Sequence, residues 1–296
     1  MRGIAALSPS NHWHPKTHNN PSTHPAKNLK PNPLRLINNN PSTKRLNPMP
    51  SFTIKASQTH NPTTPPLVVV GSANADIYVE IDRLPREGET ISAKTGQTLA
   101  GGKGANQAVC GGKLSYPTFF VGQIGCGVVL ERLRNVSGAP TGHAVVMLQS
   151  DGQNSIIIVG GANMSCWPDA MCDEDLELVR NAGIVLLQRE IPDFVNIQVA
   201  KGVRQVLVKL GAKGAALFLE GEEPVKQPII SAPRVLDTTG AGDTFTAAFA
   251  VALVEGKSKK ECLRFAAAAA SLCVQVKGAI PSMPDRKSVL NLLQSL

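Results

Sequence analysis

The first 66 residues of this 296-residue chain contain no aspartate or glutamate, although they carry eight lysines and arginines. The remaining 22 of the 30 basic residues equal the 22 acidic ones, so the net charge of +8 belongs to this segment. The charge therefore does not indicate a nucleic-acid partner for the rest of the chain. The segment also holds 12 of the 22 prolines and no sustained apolar period, which predicts that residues 1–66 are disordered.

Long apolar runs and metal-binding spacings are also absent. No run approaches the roughly 20 apolar residues that a membrane-spanning helix needs, so no membrane association is predicted. The six cysteines show no CxxC spacing, and His143 is the one histidine of six beyond residue 66. A zinc site in the folded part is therefore not expected, and free thiols fit a reducing compartment.

A basic segment with serine and threonine but no acids is typical of an organelle transit peptide, here of the plastid type. The alternatives are a disordered extension or a mistaken start codon, with a cytoplasmic protein. The sequence thus predicts two parts: a transit-peptide-like segment over 1–66 and one folded domain over 67–296.

From Leu67 onward, apolar strand patterns alternate with helical ones. Strands are predicted at 67–71, 118–125, 143–149, 154–161, 184–188 and 206–211, and helices at 101–112, 173–182, 194–205, 241–254 and 258–276. Such alternation predicts an α/β fold with a doubly wound, mostly parallel sheet flanked by helices. The more polar strands between about residues 77 and 100 predict a small β lid on this sheet.

The run DTTGAGD at 237–243 is typical of a phosphate-binding turn before a helix. Gly240, Ala241 and Gly242 have minimal side chains, so their backbone N–H groups can approach an anion at the positive end of the helix. Asp243 is placed to accept the proton of an attacking hydroxyl during phosphoryl transfer. The alternative is an aspartate that merely caps the helix.

Polar residues that suit a sugar lie in two further places. Asn74 and Asp76 follow the first strand, where α/β sheets bind ligands, and a Gly/Asn-rich loop covers 101–106. Amide and carboxylate groups can bond adjacent hydroxyls of a polyhydroxylated ligand. Each motif taken alone could be an ordinary turn.

Three segments carry a resemblance to a known family: GSANADIYV (71–79), AGGKGANQA (100–108) and VLDTTGAGDTFTAAF (235–249). They resemble the ribokinase group, plant plastid-type, of the phosphofructokinase-B-type carbohydrate kinases, over most of 67–296. The resemblance implies phosphorylation of D-ribose by Mg²⁺-bound ATP to ribose 5-phosphate, K⁺ as an activator and a homodimer joined through the lid. Another sugar kinase, such as a fructokinase, is the alternative enzyme.

The resemblance also assigns residues by position. The catalytic group is Asp243 with Gly240, Ala241 and Gly242. The ribose-binding residues are Asn74, Asp76, Gly102, Lys103, Asn106, Glu190 and Asp243. The ATP-binding residues are Lys209, Leu210, Gly211, Ala212, Lys213, Gly214, Gly242 and Ala267, although relatives often have a polar residue at the last position. The potassium-binding residues are Asp237, Thr239, Cys273, Val276, Gly278 and Ser282.

Simpler interpretations stay open for three of these assignments. Lys103 could be a solvated lid charge, and Glu190 an exposed loop residue. The run 209–214 could be a plain strand-to-turn transition.

Two stretches of the family pattern are missing. At the first, Gly125 runs directly into Cys126-Gly127-Val128. At the second, Lys201 joins Gly202 where relatives have several further strands and helices. The 230 residues from 67 onward are therefore about 70 residues shorter than a full kinase of this family. The second stretch would carry an Asn-x-x-Glu motif that organises magnesium and phosphate. The alternative function is therefore a catalytically impaired or silent sugar-binding paralogue, or a mis-spliced product, expected to aggregate and to lack ribose-dependent ATP turnover.

We predict that residues up to about Ala56 are removed on import into the plastid, because an acid-free segment precedes a charge-balanced domain and Ile54-Lys55-Ala56 is a hint of a processing site. Intact-mass measurement of the protein isolated from leaves checks this. A mature protein that begins at Met1 would contradict a plastid location.

Overall fold

The structure is a computed structural model that describes residues 4–7, 64–125, 133–136, 138–165, 167–199, 205–209, 211–219 and 221–296. These residues lie in one compact unit formed by Met1–Pro9 and Ala56–Leu296, whereas the other unit, Ser10–Lys55, lies outside the described residues. The predicted junctions at 125–126 and 201–202 also fall at or within undescribed residues.

Helices and strands alternate along the described chain. The strands are β1 (Ile4–Leu7), β2 (Leu67–Val70), β3 (Asn74–Ile81), β4 (Thr95–Gly101), β5 (Thr118–Gly125), β6 (Leu133–Val136), β7 (His143–Gln149), β8 (Asn154–Val159), β9 (Ile184–Leu187), β10 (Gln205–Lys209), β11 (Ala215–Leu219) and β12 (Glu222–Gln227). The helices are α1 (Lys103–Lys113), α2 (Asp173–Arg180), α3 (Asp193–Val199), α4 (Ala241–Val254), α5 (Lys259–Cys273), α6 (Ala279–Ser282) and α7 (Arg286–Gln294).

The strand β2 lies inside a parallel four-stranded sheet with the order β6-β5-β2-β9. All four residues of β2 are fully buried, and their side chains alternate between two apolar cores. Leu67 and Val69 pack with helices α1, α4 and α5, for example with Phe249, whereas Val68 and Val70 belong to the core of α2 and α3. The sheet is therefore covered on both faces, and the predicted doubly wound α/β fold is confirmed.

The lid is a separate four-stranded sheet with the order β4-β3-β7-β8. The prediction placed lid strands at about 77–100, and β3 and β4 do pair antiparallel there. The structure adds β7, which pairs parallel with β3, and β8, which pairs antiparallel with β7. Tyr78, Ala144, Val146 and Leu148 form a small core of this sheet, against which Leu99 packs. The sequence patterns of β7 and β8 are those of ordinary strands, so they did not indicate that these strands belong to the lid.

The third sheet has the order β1-β10-β11-β12. Its strand β10 does not pair with β9, so the described part of the main sheet is divided between these two strands. This division lies where the expected central strands and helices are missing from the sequence. A hairpin of β11 and β12, which the sequence analysis did not predict, covers the far side of β10.

The N-terminal strand β1 corrects the prediction that residues 1–66 are disordered throughout. Residues 4–7 pair parallel with β10, from Ile4 opposite Gln205 to Leu7 opposite Val208. An apolar tetrapeptide such as IAAL can satisfy the backbone groups of an otherwise open strand edge. No helix of the described residues is long and apolar enough to cross a membrane.

Candidate active site

The first turn of α4 carries the predicted base, Asp243. Gly240 precedes the helix with φ +84°, and a Cβ at this position would lie 2.9 Å from Cα of Ala279. Only glycine adopts this turn without strain while packing so closely. The turn therefore presents the N–H groups at the start of a 14-residue helix toward the same space as Asp243.

Both carboxylate oxygens of Asp243 accept hydrogen bonds from side-chain amides. Asn106 donates from Nδ2 to Oδ2 and Gln107 donates from Nε2 to Oδ1, each at 3.0 Å. Burial raises the pKa of Asp243, whereas the charge of Lys209 and the two amide hydrogen bonds lower it. The aspartate is 8% exposed and lies inside the site, and its catalytic role stays a prediction.

Lys209, at the end of β10, reaches the same turn. Its Nζ donates to the carbonyl oxygen of Gly242 at 3.1 Å. Burial lowers the pKa of Lys209, and the negative charge of Asp243 opposes that shift. A cation beside a glycine turn is placed to attract a phosphate group.

Glycines bring α1 close to the end of β2. A Cβ at Gly102, where φ is +89°, would lie 2.8 Å from the carbonyl oxygen of Ser72, and one at Gly104 would lie 2.7 Å from the Ser72 nitrogen. A side chain at either position would push the helix away. The close approach is what lets Asn106 reach Asp243 across the site.

Glu190 lies at the opposite wall, just after β9. It accepts hydrogen bonds from Ser72 Oγ at 2.6 Å and from the Lys103 backbone nitrogen at 3.1 Å. The Lys103 ammonium also lies 3.2 Å from Glu190 Oε1. Glu190 is therefore nearly buried within the site, and Lys103 is paired with it.

Asn74 and Asp76 point to one side of β3. Asn163 donates from Nδ2 to Asn74 Oδ1 at 2.7 Å, and the Ala144 backbone nitrogen donates to Asp76 Oδ1 at 2.8 Å. Burial raises the pKa of Asp76, whereas its hydrogen bonds with the Ala144 backbone and with the Asn74 side chain lower it. Both residues remain partly exposed, as a ligand contact requires.

The structure brings together the residues predicted to bind potassium. Asp237 is fully buried and accepts from the backbone nitrogens of Thr239 and Gly278, each at 2.8 Å. Cys273 Sγ lies 3.0 Å from Ser282 Oγ and 4.0 Å from the Thr239 carbonyl oxygen. Val276 belongs to the same turn through a hydrogen bond to the Cys273 carbonyl oxygen.

The remaining residues predicted to bind ATP lie in different settings: a turn, an undescribed position and the apolar core. Gly211, Ala212 and Lys213 form a short turn after β10, and Gly214 follows with φ +88°. Leu210 lies outside the described residues. Ala267 is buried in α5 among core residues, so its contact with a nucleotide stays a prediction.

Four residues of this region were missed by the sequence analysis. Gln107, Gln188 and Asn163 are buried amides that donate to Asp243, Gln107 and Asn74 respectively, and Tyr78 donates its hydroxyl to Asp237 from the lid. Gln107 directly follows Asn106, which was the one available signal. The partners of the others are 80 or more positions away, and no spacing in the sequence links them.

The site combines a buried carboxylate, a glycine turn and polar groups that suit a sugar, and the family comparison indicates the same class of protein. The family model for pfkB family carbohydrate kinases matches residues 65–196 and 188–286. These ranges cover more than half of the chain. The chain belongs to the pfkB family of carbohydrate kinases, which are phosphotransferases.

Within this family, the chain is most usefully compared with ribokinases. It is 54% identical to the ribokinase of Arabidopsis thaliana in an alignment that covers 99% of each. It is 34% identical to the ribokinase of Bacillus subtilis, with 77% of this chain and 99% of the relative covered. A solved structure of Arabidopsis thaliana ribokinase complexed with ribose and ATP is 60% identical, covers 78% of this chain and 99% of its own, and superimposes with a TM-score of 0.69.

The alignment with the Arabidopsis relative is longer than the chain itself. It runs over 378 positions, whereas the chain has 296 residues, so at least 82 positions of the relative have no counterpart here. Missing internal stretches would produce such a difference.

Proposed function

We propose that this chain phosphorylates D-ribose with ATP and releases ribose 5-phosphate. The observation that carries the proposal is the contact between Asn106 and Asp243, which joins the predicted sugar loop to the phosphoryl-transfer turn. The 54% identity to an Arabidopsis ribokinase supports ribose over fructose as the substrate.

In this reaction Asp243 accepts the proton of the sugar hydroxyl. The hydroxyl oxygen then bonds to the γ-phosphorus of ATP, and the bond from that phosphorus to the bridging oxygen breaks, which leaves ADP. The N–H groups at the start of α4 and the Lys209 ammonium face the charge that develops on the transferred group. The buried position of Asp243 excludes water from the proton transfer.

The ribose would lie between the lid and the main sheet. Asn74, Asp76, Asn106 and Glu190 supply acceptors and donors for adjacent hydroxyls. Gly102 and Lys103 shape the loop between them, and the Lys103–Glu190 pair holds the glutamate in place. Lys209 and the turn at 211–214 would lie under the ATP phosphates.

The metal requirements divide into two cases. Ribokinases use Mg²⁺ with ATP, but the described residues include no group of three or more His, Cys, Asp or Glu side chains that could hold a metal ion. Within the described ranges the side chains do not form a site for magnesium, and we propose that it binds together with the ATP phosphates.

Potassium fits better, because the residues proposed for it come from two segments that contact each other: Asp237 and Thr239 before α4, and Cys273, Val276, Gly278 and Ser282 from the end of α5 to α6. Backbone carbonyls, a carboxylate and a hydroxyl suit K⁺. When bound, the ion would offset negative charge beside the phosphate-binding turn.

Two further proposals concern the setting of the enzyme. We place it in the plastid, since the Arabidopsis relative aligns with 99% of the chain and the bacterial one with 77%.

We also propose a homodimer through the lid, because β8 exposes Ile156, Ile157, Ile158 and Val159. A monomeric mass in sedimentation would contradict the dimer.

The second candidate function is a silent sugar-binding protein. The division of the main sheet between β9 and β10 favours it, since the missing stretch would also carry the magnesium-organising motif.

Asp243→Asn should lower kcat by about two to four decades and leave ribose affinity nearly unchanged, because the amide keeps the size but accepts no proton. Steady-state kinetics and calorimetric titration with ribose measure both effects. A variant within threefold of the unmodified chain would show that Asp243 only caps the helix.

Potassium should raise the rate of ribose phosphorylation above the rate in sodium at equal ionic strength. Assays in the two chlorides check this. Equal rates would remove the cation assignment for Asp237 and its neighbours.

Insertion of the Arabidopsis segment between Lys201 and Gly202 should raise ribose-dependent ATP turnover at least tenfold over the chain as it stands. The inserted strands would close the main sheet and restore the magnesium-organising motif. Aggregation or zero turnover of the unmodified chain, with ribose-dependent turnover in the restored one, would support the silent candidate. Equal turnover in both would show that the missing elements are dispensable.

A further inference from the structure

Three buried side chains form a hydrogen-bonded series that ends at the proposed base. Gln188, at the end of β9, donates from Nε2 to Gln107 Oε1 at 2.8 Å. Gln107, on α1, donates from Nε2 to Asp243 Oδ1 at 3.0 Å. Gln107 is 2% exposed and Gln188 is 6% exposed, so water does not compete for these bonds.

The donor and acceptor roles in this series are determined by its end groups, Asp243 and Gln188. The ionised carboxylate of Asp243 accepts hydrogen bonds only, so the Gln107 amide must turn its NH₂ group toward it. The Gln107 oxygen then faces Gln188, which must donate in turn. A reversed Gln107 would place its oxygen against the carboxylate and leave Gln188 facing a second donor.

Gln107 differs from the other groups around Asp243. Asn106 holds Oδ2 but also belongs to the proposed sugar loop, and Lys209 belongs to the phosphate side. Glu190, which follows β9, raises the pKa of Asp243 by its like charge, and Lys103 is paired with Glu190. Gln107 belongs to neither side, since in the described part of the chain its side-chain bonds run to Asp243 and Gln188.

We infer that Gln107 is the positioning residue of the base, and that Gln188 in turn fixes the orientation of Gln107. The inference rests on the proposed kinase function, in which Asp243 must be ionised before the sugar hydroxyl arrives. Gln107 holds Oδ1 from the interior, whereas Oδ2 is held by Asn106 and so lies on the side of the proposed sugar loop.

Charge supports this role. Burial raises the pKa of Asp243, and the Gln107 hydrogen bond is among the interactions that lower it. Loss of that donor should therefore raise the pKa of Asp243. Because the ionised form is the active one, the acid limb of the pH–rate profile should then move to higher pH.

The experiment uses the full chain labelled with ¹³C at the aspartate carboxyl carbons, and Asp243→Asn identifies the Asp243 signal. In Gln107→Leu the titration midpoint of this signal should rise by about one pH unit, and in Gln188→Leu by a smaller amount. Where turnover is measurable, the acid limb of kcat/KM should shift equally, with little change in ribose KM. The NMR titration needs no turnover, so it remains informative if the proposed function is wrong.

Thr118→Val is the matched control. It removes a neutral hydrogen bond beside the far end of α1, from Thr118 Oγ1 to the Tyr116 carbonyl oxygen, and does not approach Asp243. The titration midpoint of the Asp243 signal in Thr118→Val should equal that in the unmodified chain. If Gln107→Leu fails to fold, Gln188→Leu gives the decision, because it breaks the series without touching Asp243. An Asp243 midpoint unchanged in the folded glutamine variants overturns the inference.

Discussion

The buried carboxylate of Asp243 is the group on which the rest of the site depends. A charged group out of water is costly unless other polar groups compensate it, and here the compensation comes from three separate elements. Two amides of α1 bind its oxygens, the ammonium at the end of β10 lies nearby, and the start of α4 contributes its positive end. Together these elements offset the cost of burying the carboxylate.

The glycines serve this arrangement. Gly102 and Gly104 let α1 approach the end of β2, and Gly240 lets the phosphate turn pack against Ala279. The lid is tied to the same region, because the Tyr78 hydroxyl donates to Asp237 and Asn154 of β8 donates to Thr239 Oγ1 at 2.7 Å. The sugar loop, the phosphate turn and the lid are thus in contact through polar side chains, and not only through the apolar core.

Much of this architecture could be predicted from the sequence because its signals are local. The alternation of apolar runs gives the strands and helices, and DTTGAGD places a base beside an anion-binding turn within seven residues. That the lid has four strands could not be predicted in this way, because β7 and β8 have ordinary strand patterns. Neither was the role of Gln188, since its partner Gln107 lies 81 positions earlier and only the fold brings the two together.

The pairing of Ile4–Leu7 with β10 bears on association between copies of the chain, because this segment covers an edge of the third sheet. While the segment is present, it covers one edge of β10 and satisfies its backbone groups. In a variant chain that lacks residues 4–7, that edge of β10 would present a row of free donors and acceptors beside the division in the main sheet. Exposed edges of this kind recruit strands from other chains, so such a variant would need a partner or a chaperone to avoid association.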